Sequence, residues 1–172
     1  MAPPREMPLS PRGGAALSIG GTGMLAAATQ YLASTHETTL VVARHARRFC
    51  ATLGGAQALE ADWNAADFQA CLSDALDHFP SPRTALLWLH RLETDLPFLL
   101  PRLSDARVVL VLGSMDGQPA LPSFPDIVTV RLGSLATANG RRWLTHDEIA
   151  AAAIASLETG ASRIVGALKP LR

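Results

Sequence analysis

Short runs of hydrophobic residues alternate along the chain with longer stretches in which hydrophobic positions recur at a helical period. The runs predict seven strands, at 15–19, 39–43, 57–60, 85–89, 107–112, 127–132 and 163–165. The longer stretches predict helices at 24–34, 45–53, 65–79, 93–103 and 146–157, the last opening on a capping box at Thr145 to Glu148. Alternating strands and helices are typical of βαβ units. We therefore expect an α/β three-layer sandwich, with a mostly parallel sheet of about seven strands and helices on both faces.

The connection between the fifth and sixth predicted strands departs from this alternation. Residues 113–126 contain two glycines and three prolines. A parallel crossover normally needs a dozen or more residues, usually in a helix, and this segment is barely long enough and too rich in proline for one. We expect the helix after the fifth strand to be missing.

Length and composition are those of a globular protein. The 172 residues are 48% hydrophobic and 17% charged, which predicts a single domain at 15–172. Residues 1–14 contain four prolines and are expected to form a flexible tail. Acidic and basic residues balance at 15 each, so neither nucleic acid nor an anionic membrane is an expected partner.

The two cysteines, Cys50 and Cys71, have no CxxC or metal-type spacing. They indicate two buried thiols in a reducing cytoplasm and no metal site. The apolar segment 15–33 is interrupted by Gly20, Gly21 and Gly23. It is therefore expected to be neither a signal peptide nor a membrane span.

A glycine-rich turn joins the first predicted strand to the first helix, with the sequence Gly20-Gly21-Thr22-Gly23-Met24-Leu25-Ala26. Gly20 permits a tight turn, and Gly23 lets backbone N–H groups approach a pyrophosphate at the positive end of the helix. Ala26 stands where a third glycine often allows helix–strand packing. A turn without a ligand is the alternative, but the strand–turn–helix setting favours a dinucleotide site.

The end of the second predicted strand distinguishes between cofactors. A site selective for NAD places an acidic residue there for the ribose hydroxyls, and no acidic residue occurs from Val41 to Phe49. Arg44 is placed to bind a 2′-phosphate, with Arg47 and Arg48 as possible helpers. We therefore predict NADP(H) as the cofactor, with a solvated basic start of a helix as the alternative.

With these features the chain resembles the short-chain dehydrogenases/reductases, over nearly everything from Ala15 to Pro170. Gly20-x-x-Gly23-x-x-Ala26 is similar to the family's glycine motif, and Gly113-Ser114 ends the fifth strand where the family has its catalytic serine. Leu132 to Thr137 resembles the Pro-Gly-x-x-x-Thr segment that holds the nicotinamide, with Leu132 in place of proline. The resemblance implies a Rossmann-type fold.

Asp62 follows the third strand, where the family has an aspartate that contacts adenine; a helix N-cap is the alternative role. The expected cofactor-binding residues are Gly20, Thr22, Gly23, Met24, Leu25, Arg44, Asp62, Trp63, Leu89, Gly133 and Thr137.

The chain departs from the family at the catalytic centre. The Tyr-x-x-x-Lys pair is absent, because Tyr31 is the only tyrosine and Lys169 the only lysine. In the family this pair lies on the helix after the fifth strand, which is the helix that we expect to be missing. The family's Asn-Asn-Ala-Gly turn after the fourth strand is replaced by the residues from Trp88 to Arg91.

Another group would have to transfer the proton in an active enzyme. His90 follows the fourth strand and belongs at the ligand-binding edge of the sheet, and histidine suits proton transfer near neutral pH. Ser114 could hydrogen-bond the substrate. A helix-cap or surface role is the alternative for His90, and the start of a turn is the alternative for Ser114. A hydrolytic triad of Ser114, His90 and Asp116 is not expected, because nothing places Ser114 on a nucleophile elbow.

The sequence therefore predicts an NADPH-dependent oxidoreductase that acts on a small carbonyl, enone or imine substrate. A non-catalytic NADP(H)-binding sensor or regulatory subunit is the main alternative. A nucleotide-sugar or CoA-ester binder that uses the same phosphate site is a third. Association into a homo-oligomer is possible.

Overall fold

Seven strands form one parallel sheet in the computed structural model, which describes residues 13–114, 119–123 and 126–168. The strands of this sheet are β1 (Ala15–Ile19), β2 (Thr38–Ala43), β3 (Ala56–Glu60), β4 (Pro82–Leu87), β5 (Arg107–Leu112), β6 (Asp126–Leu132) and β9 (Arg163–Val165). The helices are α1 (Ala26–Thr35), α2 (Ala46–Cys50), α3 (Phe68–His78), α4 (Leu92–Leu99) and α5 (His146–Thr159). A two-stranded hairpin of β7 (Ser134–Thr137) and β8 (Gly140–Trp143) lies between β6 and α5.

The strand order is β3-β2-β1-β4-β5-β6-β9, and all the pairings in this sheet are parallel. Every residue of β1 is buried, as expected for a central parallel strand that is covered on both faces. The order reverses direction between β1 and β4. In open α/β sheets a ligand binds outside the carboxyl ends of the strands at such a switch point.

Hydrophobic cores lie on both faces of the sheet. On one face α1 and α5 contact each other, and Leu32 and Leu157 are fully buried there. On the other face Leu72 of α3 and Leu99 of α4 pack against alternate residues of the same strands. The predicted three-layer arrangement with a seven-stranded parallel sheet is therefore confirmed.

All five helices differ from their predicted bounds by one or more residues, and the fourth strand lies at Pro82–Leu87 rather than at 85–89. Two of the larger differences have local reasons. Helix α3 begins at Phe68 rather than at residue 65, because Asp62 closes a turn through its carbonyl oxygen to Ala65 N (2.9 Å). The helix predicted at 93–103 changes at Leu100 to a 3-10 helix that extends to Leu103. Pro101 is part of this 3-10 segment and has no N–H for an α-helical bond.

No described residue between β5 and β6 is helical. Residues 115–118 and 124–125 of this connection, and residues 1–12 of the predicted tail, lie outside the described ranges. Across the described ranges, no helix has both the length and the apolar character needed to cross a membrane.

The expectation of two buried thiols is wrong. Cys71 is exposed on α3, and Cys50 at the end of α2 is only partly buried.

The β7–β8 hairpin was not predicted from the sequence. Its register pairs Ser134 with Trp143 and Thr137 with Gly140. The Arg141 side chain binds the start of β7, since its Nε donates to Ser134 Oγ at 2.7 Å. Residues 134–137, which belong to the segment that resembles the family's Pro-Gly-x-x-x-Thr sequence, form the first strand of this hairpin.

A salt bridge fixes this hairpin to the start of α5. The Arg142 guanidinium donates to both carboxylate oxygens of Glu148, at 2.9 and 2.8 Å. The same carboxylate accepts from Thr145 N at 2.8 Å, while Thr145 Oγ1 accepts from Glu148 N at 3.2 Å. The predicted capping box is thus present. The Arg142 guanidinium, assisted by the Thr145 amide, lowers the pKa of Glu148 to about 2.

Candidate active site at the carboxyl edge of the sheet

Two glycines of the turn after β1 are required by the protein itself. Gly20 has φ +72°, and a Cβ there would lie 2.5 Å from the carbonyl oxygen of Trp88. A Cβ on Gly21 would overlap the hydroxyl oxygens of Ser18 and Thr29. Larger residues at either position would therefore force the turn to open.

Gly23 is different, because a Cβ built on it meets no protein atom within 4 Å. The residue is exposed, and α1 begins three residues later without a side-chain cap. The turn therefore presents open backbone at the N-terminus of a ten-residue helix, which is the arrangement that binds the phosphates of a dinucleotide. No contact with the described residues requires glycine here, whereas a closely bound pyrophosphate would.

Hydrogen bonds that involve residues of β1, α1 and β2 hold the glycine turn in place. Thr29 Oγ1 donates to the carbonyl oxygen of Gly21 at 2.7 Å and lies 2.8 Å from Ser18 Oγ. Gly20 N donates to Val42 O at 3.0 Å, which ties the turn to β2. Because Ser18 and Thr29 are fully buried, these hydrogen bonds fix the conformation of the turn.

A cleft of about 210 Å³ opens beside this turn. It brings together several of the predicted cofactor-binding residues, namely Gly20, Thr22, Gly23, Met24, Arg44 and Trp63. Ala43, His45, Trp88 and His90 complete its lining. The glycine turn and the proposed phosphate-binding arginine thus face the same space.

Four side chains form a continuous stack along this cleft. Arg44 Cζ lies 4.8 Å from the ring centroid of Trp63. On Trp63 lies the imidazole of His90, with centroids 4.0 Å apart and planes inclined by 13°. Trp88 meets His90 edge-on at 6.0 Å. Cation–π and aromatic contacts of this kind stabilise partly exposed groups by about 0.5–1.5 kcal/mol each.

The neighbouring arginines do not reach the cleft. Arg47 and Arg48 are exposed and line neither it nor the larger cavity beside it. Arg47 Nε instead lies 3.8 Å from Glu60 Oε2. Of the three arginines expected to bind a 2′-phosphate, Arg44 is the one at the site.

That larger cavity, of about 470 Å³, adjoins the cleft and shares Met24, Trp88 and His90 with it. The ends of β4, β5 and β6 contribute Leu89, Gly113, Ser114, Leu132 and Gly133, and the hairpin and α5 contribute Trp143, Leu144, His146 and Ile149. His90 and Ser114, predicted from separate strands, therefore line one cavity. Its volume is in the usual range for small-molecule sites.

The segment that carries His90 is anchored by hydrogen bonds of the buried Asp95. Asp95, only 1% exposed, accepts from Arg91 NH2 at 3.2 Å and from Gln69 Nε2 at 2.9 Å. Asp95 N in turn donates to Arg91 O at 2.8 Å. This buried carboxylate fixes the start of α4, and with it the loop in which His90 lies.

Some predicted site residues lie elsewhere. The Leu25 side chain is fully buried, so that only its backbone faces the turn. Asp62 is exposed and its Oδ1 accepts from Asn64 N at 2.9 Å. Its alternative role as a helix N-cap is wrong, because Asp67 precedes the first residue of α3. Thr137, at the exposed end of β7, lines neither cavity, and Asp116 lies outside the described residues.

Trp143, Leu144, His146 and Ile149 were not predicted as site residues. The cavity reaches them because the hairpin turns the chain back over the end of the sheet before α5 begins. A tryptophan placed two residues before a capping box was the available signal. It predicted a helix start but not the direction that the preceding residues take.

No family model matches the sequence, and no curated protein matches it. Solved structures do. A short-chain dehydrogenase/reductase from Serratia marcescens is similar at a TM-score of 0.60 with 16% identity, over 91% of this chain and 98% of that one. A Rossmann-fold NAD(P)-binding family protein from Shigella flexneri is similar at 0.60 with 15% identity, over 92% and 98%.

Glucose dehydrogenase of Caenorhabditis elegans is similar at a TM-score of 0.57 with 18% identity, over 88% of this chain and 95% of that one. Structural similarity at such low sequence identity establishes the fold alone. The chemistry has to be inferred from the residues of the site. The chain has the Rossmann-type fold of the short-chain dehydrogenases/reductases.

Proposed function

We propose that the protein is an NADP(H)-dependent oxidoreductase that acts on a small carbonyl, enone or imine compound. One observation carries the proposal: the cleft that contains the open turn at Gly23 and Arg44 continues into the cavity that contains His90 and Ser114. A cofactor site and a candidate reaction site are therefore contiguous.

The residues of the cleft are suited to hold a dinucleotide phosphate. The backbone around Gly23 and the N-terminus of α1 would bind the pyrophosphate, and Arg44 would bind the 2′-phosphate. Leu89 and Gly133 line the larger cavity and would contact the nicotinamide half. The bound cofactor supplies a hydride to, or accepts one from, the substrate.

In this proposal His90 and Ser114 take over the work of the absent Tyr-x-x-x-Lys pair. His90 holds the proton that a carbonyl oxygen requires on reduction, and the Ser114 hydroxyl donates a hydrogen bond that orients the same oxygen. An iminium substrate is already electrophilic and needs no such proton. It is therefore the substrate type that depends least on this pair.

Calorimetric titration with NADPH and NADH, followed by a screen of carbonyl compounds for NADPH oxidation, tests the proposal. We expect NADPH to bind about ten- to a hundredfold more tightly, the equivalent of one or two hydrogen bonds to a charged group. Equal affinities would contradict the choice of cofactor and would favour a nucleotide-sugar or CoA-ester site.

The absence of the Tyr-x-x-x-Lys pair favours a second candidate, an NADP(H)-binding sensor or regulatory subunit without turnover. Tight NADPH binding together with no oxidation across carbonyls, enones and imines would select this candidate. Measurable oxidation of NADPH with any substrate of these classes would exclude it.

A further inference from the structure

Trp143 occupies a position that the fold does not explain. Its side chain is 60% exposed and belongs to neither of the cores that cover the sheet. A single exposed apolar side chain is unremarkable in itself, but this one lines the 470 Å³ cavity together with Trp88, which lies at the end of β4.

The backbone that carries Trp143 is fixed on both sides. Toward the hairpin, Trp143 pairs with Ser134 in the register of β7 and β8. Its carbonyl oxygen accepts from Arg142 NH1 at 2.9 Å, and the same guanidinium holds Glu148 on α5. An exposed indole on a rigid backbone loses little conformational entropy when a ligand covers it.

Three arginines near the cavity already have hydrogen-bond partners. Arg141 donates to the neutral Ser134, and Arg142 donates to the carboxylate of Glu148. Arg91, beside His90, is bound to the buried Asp95. Among the described residues, the lining of the cavity includes no arginine and no carboxylate. Among the same residues, the groups of the lining that can carry a charge are the imidazoles of His90 and His146, so a substrate with a carboxylate or phosphate would find no permanent counter-ion there.

We propose that Trp143 and Trp88 form an aromatic substrate subsite, and that the substrate is an uncharged, planar, unsaturated carbonyl compound. This inference rests on the proposed oxidoreductase function, whose substrate class it narrows. The indoles contact the flat ring or chain of the substrate, while His90 and Ser114 lie in the same cavity for its carbonyl oxygen. Trp143 determines specificity by binding and takes no part in proton transfer.

Three ketones of similar size test the subsite: benzalacetone, its para-carboxylate analogue, and the saturated cyclohexylbutanone. Each is titrated by calorimetry into the protein loaded with NADP⁺ and into the protein without cofactor. Ketones are chosen over aldehydes because they do not readily modify amines. We expect benzalacetone to bind at least about tenfold more tightly than its carboxylate, and more tightly than the saturated ketone.

The variants are Trp143→Ala and Trp143→Phe, with Ile164→Ala as the matched control. Ile164 is exposed to the same degree (61%) but lines neither the cavity nor the cleft. Trp143→Ala should weaken benzalacetone about tenfold, while Trp143→Phe and Ile164→Ala should stay within about threefold of the wild type. NADP⁺ affinity should be unchanged in all three.

The outcomes separate the two proposals. Failure to bind NADP⁺ overturns the proposed function, and the titration without cofactor then still tests the subsite. Equal binding of benzalacetone and its carboxylate overturns the subsite, as does an unchanged affinity in Trp143→Ala. The wild-type comparison of the three ketones decides the matter even where a variant fails to fold.

Discussion

The imidazole of His90 lies flat on the indole of Trp63, with ring centroids 4.0 Å apart and planes inclined by 13°. Trp63 follows β3 and His90 follows β4, so that the stack joins two loops on opposite sides of the switch point in the sheet. Arg44 lies against the same indole. The proposed phosphate-binding residue and the proposed proton donor are therefore linked through one side chain.

The stack predicts a spectroscopic signature. The ring current of Trp63 should shift the His90 imidazole proton resonances upfield, because these protons lie over the face of the indole. Trp63→Ala should move them downfield in NMR spectra, with His90→Ala assigning them among the five histidines. Trp143→Phe is the control and should leave them in place. Unshifted His90 resonances in the wild type would show that the stack does not persist in solution.

Arg44→Ala should remove the preference for NADPH over NADH. Loss of the guanidinium should weaken NADPH about ten- to a hundredfold and leave NADH nearly unchanged, because only NADPH carries the 2′-phosphate. Arg48→Ala is the matched control, since Arg48 is exposed on the neighbouring helix and does not line the cleft. Calorimetry with both cofactors measures the difference. A loss of equal size for NADH would assign Arg44 to another part of the cofactor.

Gly23→Val should abolish NADPH binding and leave the fold intact. A Cβ at Gly23 meets no atom of the described residues within 4 Å, and the branched side chain would occupy space proposed for the pyrophosphate. Gly54→Val is the matched control, because Gly54 is also in a turn with nothing within 4 Å. Thermal unfolding checks the fold and calorimetry checks binding. Normal NADPH affinity in a folded Gly23→Val protein would place the phosphates elsewhere.

The sequence predicts the parts of this fold that burial determines. Strands β1 and β5 begin and end where predicted, because every residue of β1 and all but the first residue of β5 are buried, which makes each a clear apolar run. The hairpin was missed although Asn139-Gly140 is a typical turn signal; the two loop residues are Ala138 and Asn139, and Gly140 is the first residue of β8. Its strands lack alternating apolar residues, and it is held instead by the contacts of Arg141 and Arg142.

The sequence also predicts those parts of the candidate site that lie at the ends of buried strands. The glycine turn and Arg44 follow from strand ends, and the switch point explains why His90 and Ser114 line one cavity. The stacking of Trp63 on His90 and the approach of Trp143 depend on loop conformations. Neither leaves a periodic signal in the sequence.

Acid should loosen the attachment of the hairpin to α5. The pKa of Glu148 is lowered from 4.5 to about 2, so its contribution to stability is complete above pH 4.5 and is lost as the pH falls toward 2. Glu148→Gln should therefore be less stable than the wild type at neutral pH, with a gap in melting temperature that narrows over this range. Arg142→Met should remove most of the same pH dependence, because Arg142 is its leading cause. Parallel profiles for wild type and Glu148→Gln would show that the bridge adds no stability.

His90→Ala should reduce turnover about 10²–10⁴-fold, which is the usual contribution of a general acid–base group. NADPH affinity should change little, because the phosphate-binding residues Gly23 and Arg44 remain. His78→Ala is the matched control, since His78 is exposed at the end of α3 and lines neither the cleft nor the larger cavity. Steady-state kinetics with a substrate found by the NADPH-oxidation screen, and calorimetry on the same samples, separate catalysis from binding.

The defect in His90→Ala should appear in kcat for ketones and enones and be small for an iminium substrate, which needs no proton on oxygen. Full ketone turnover in His90→Ala would mean that water or Ser114 supplies the proton, and that the histidine lines the cavity only to hold Trp63.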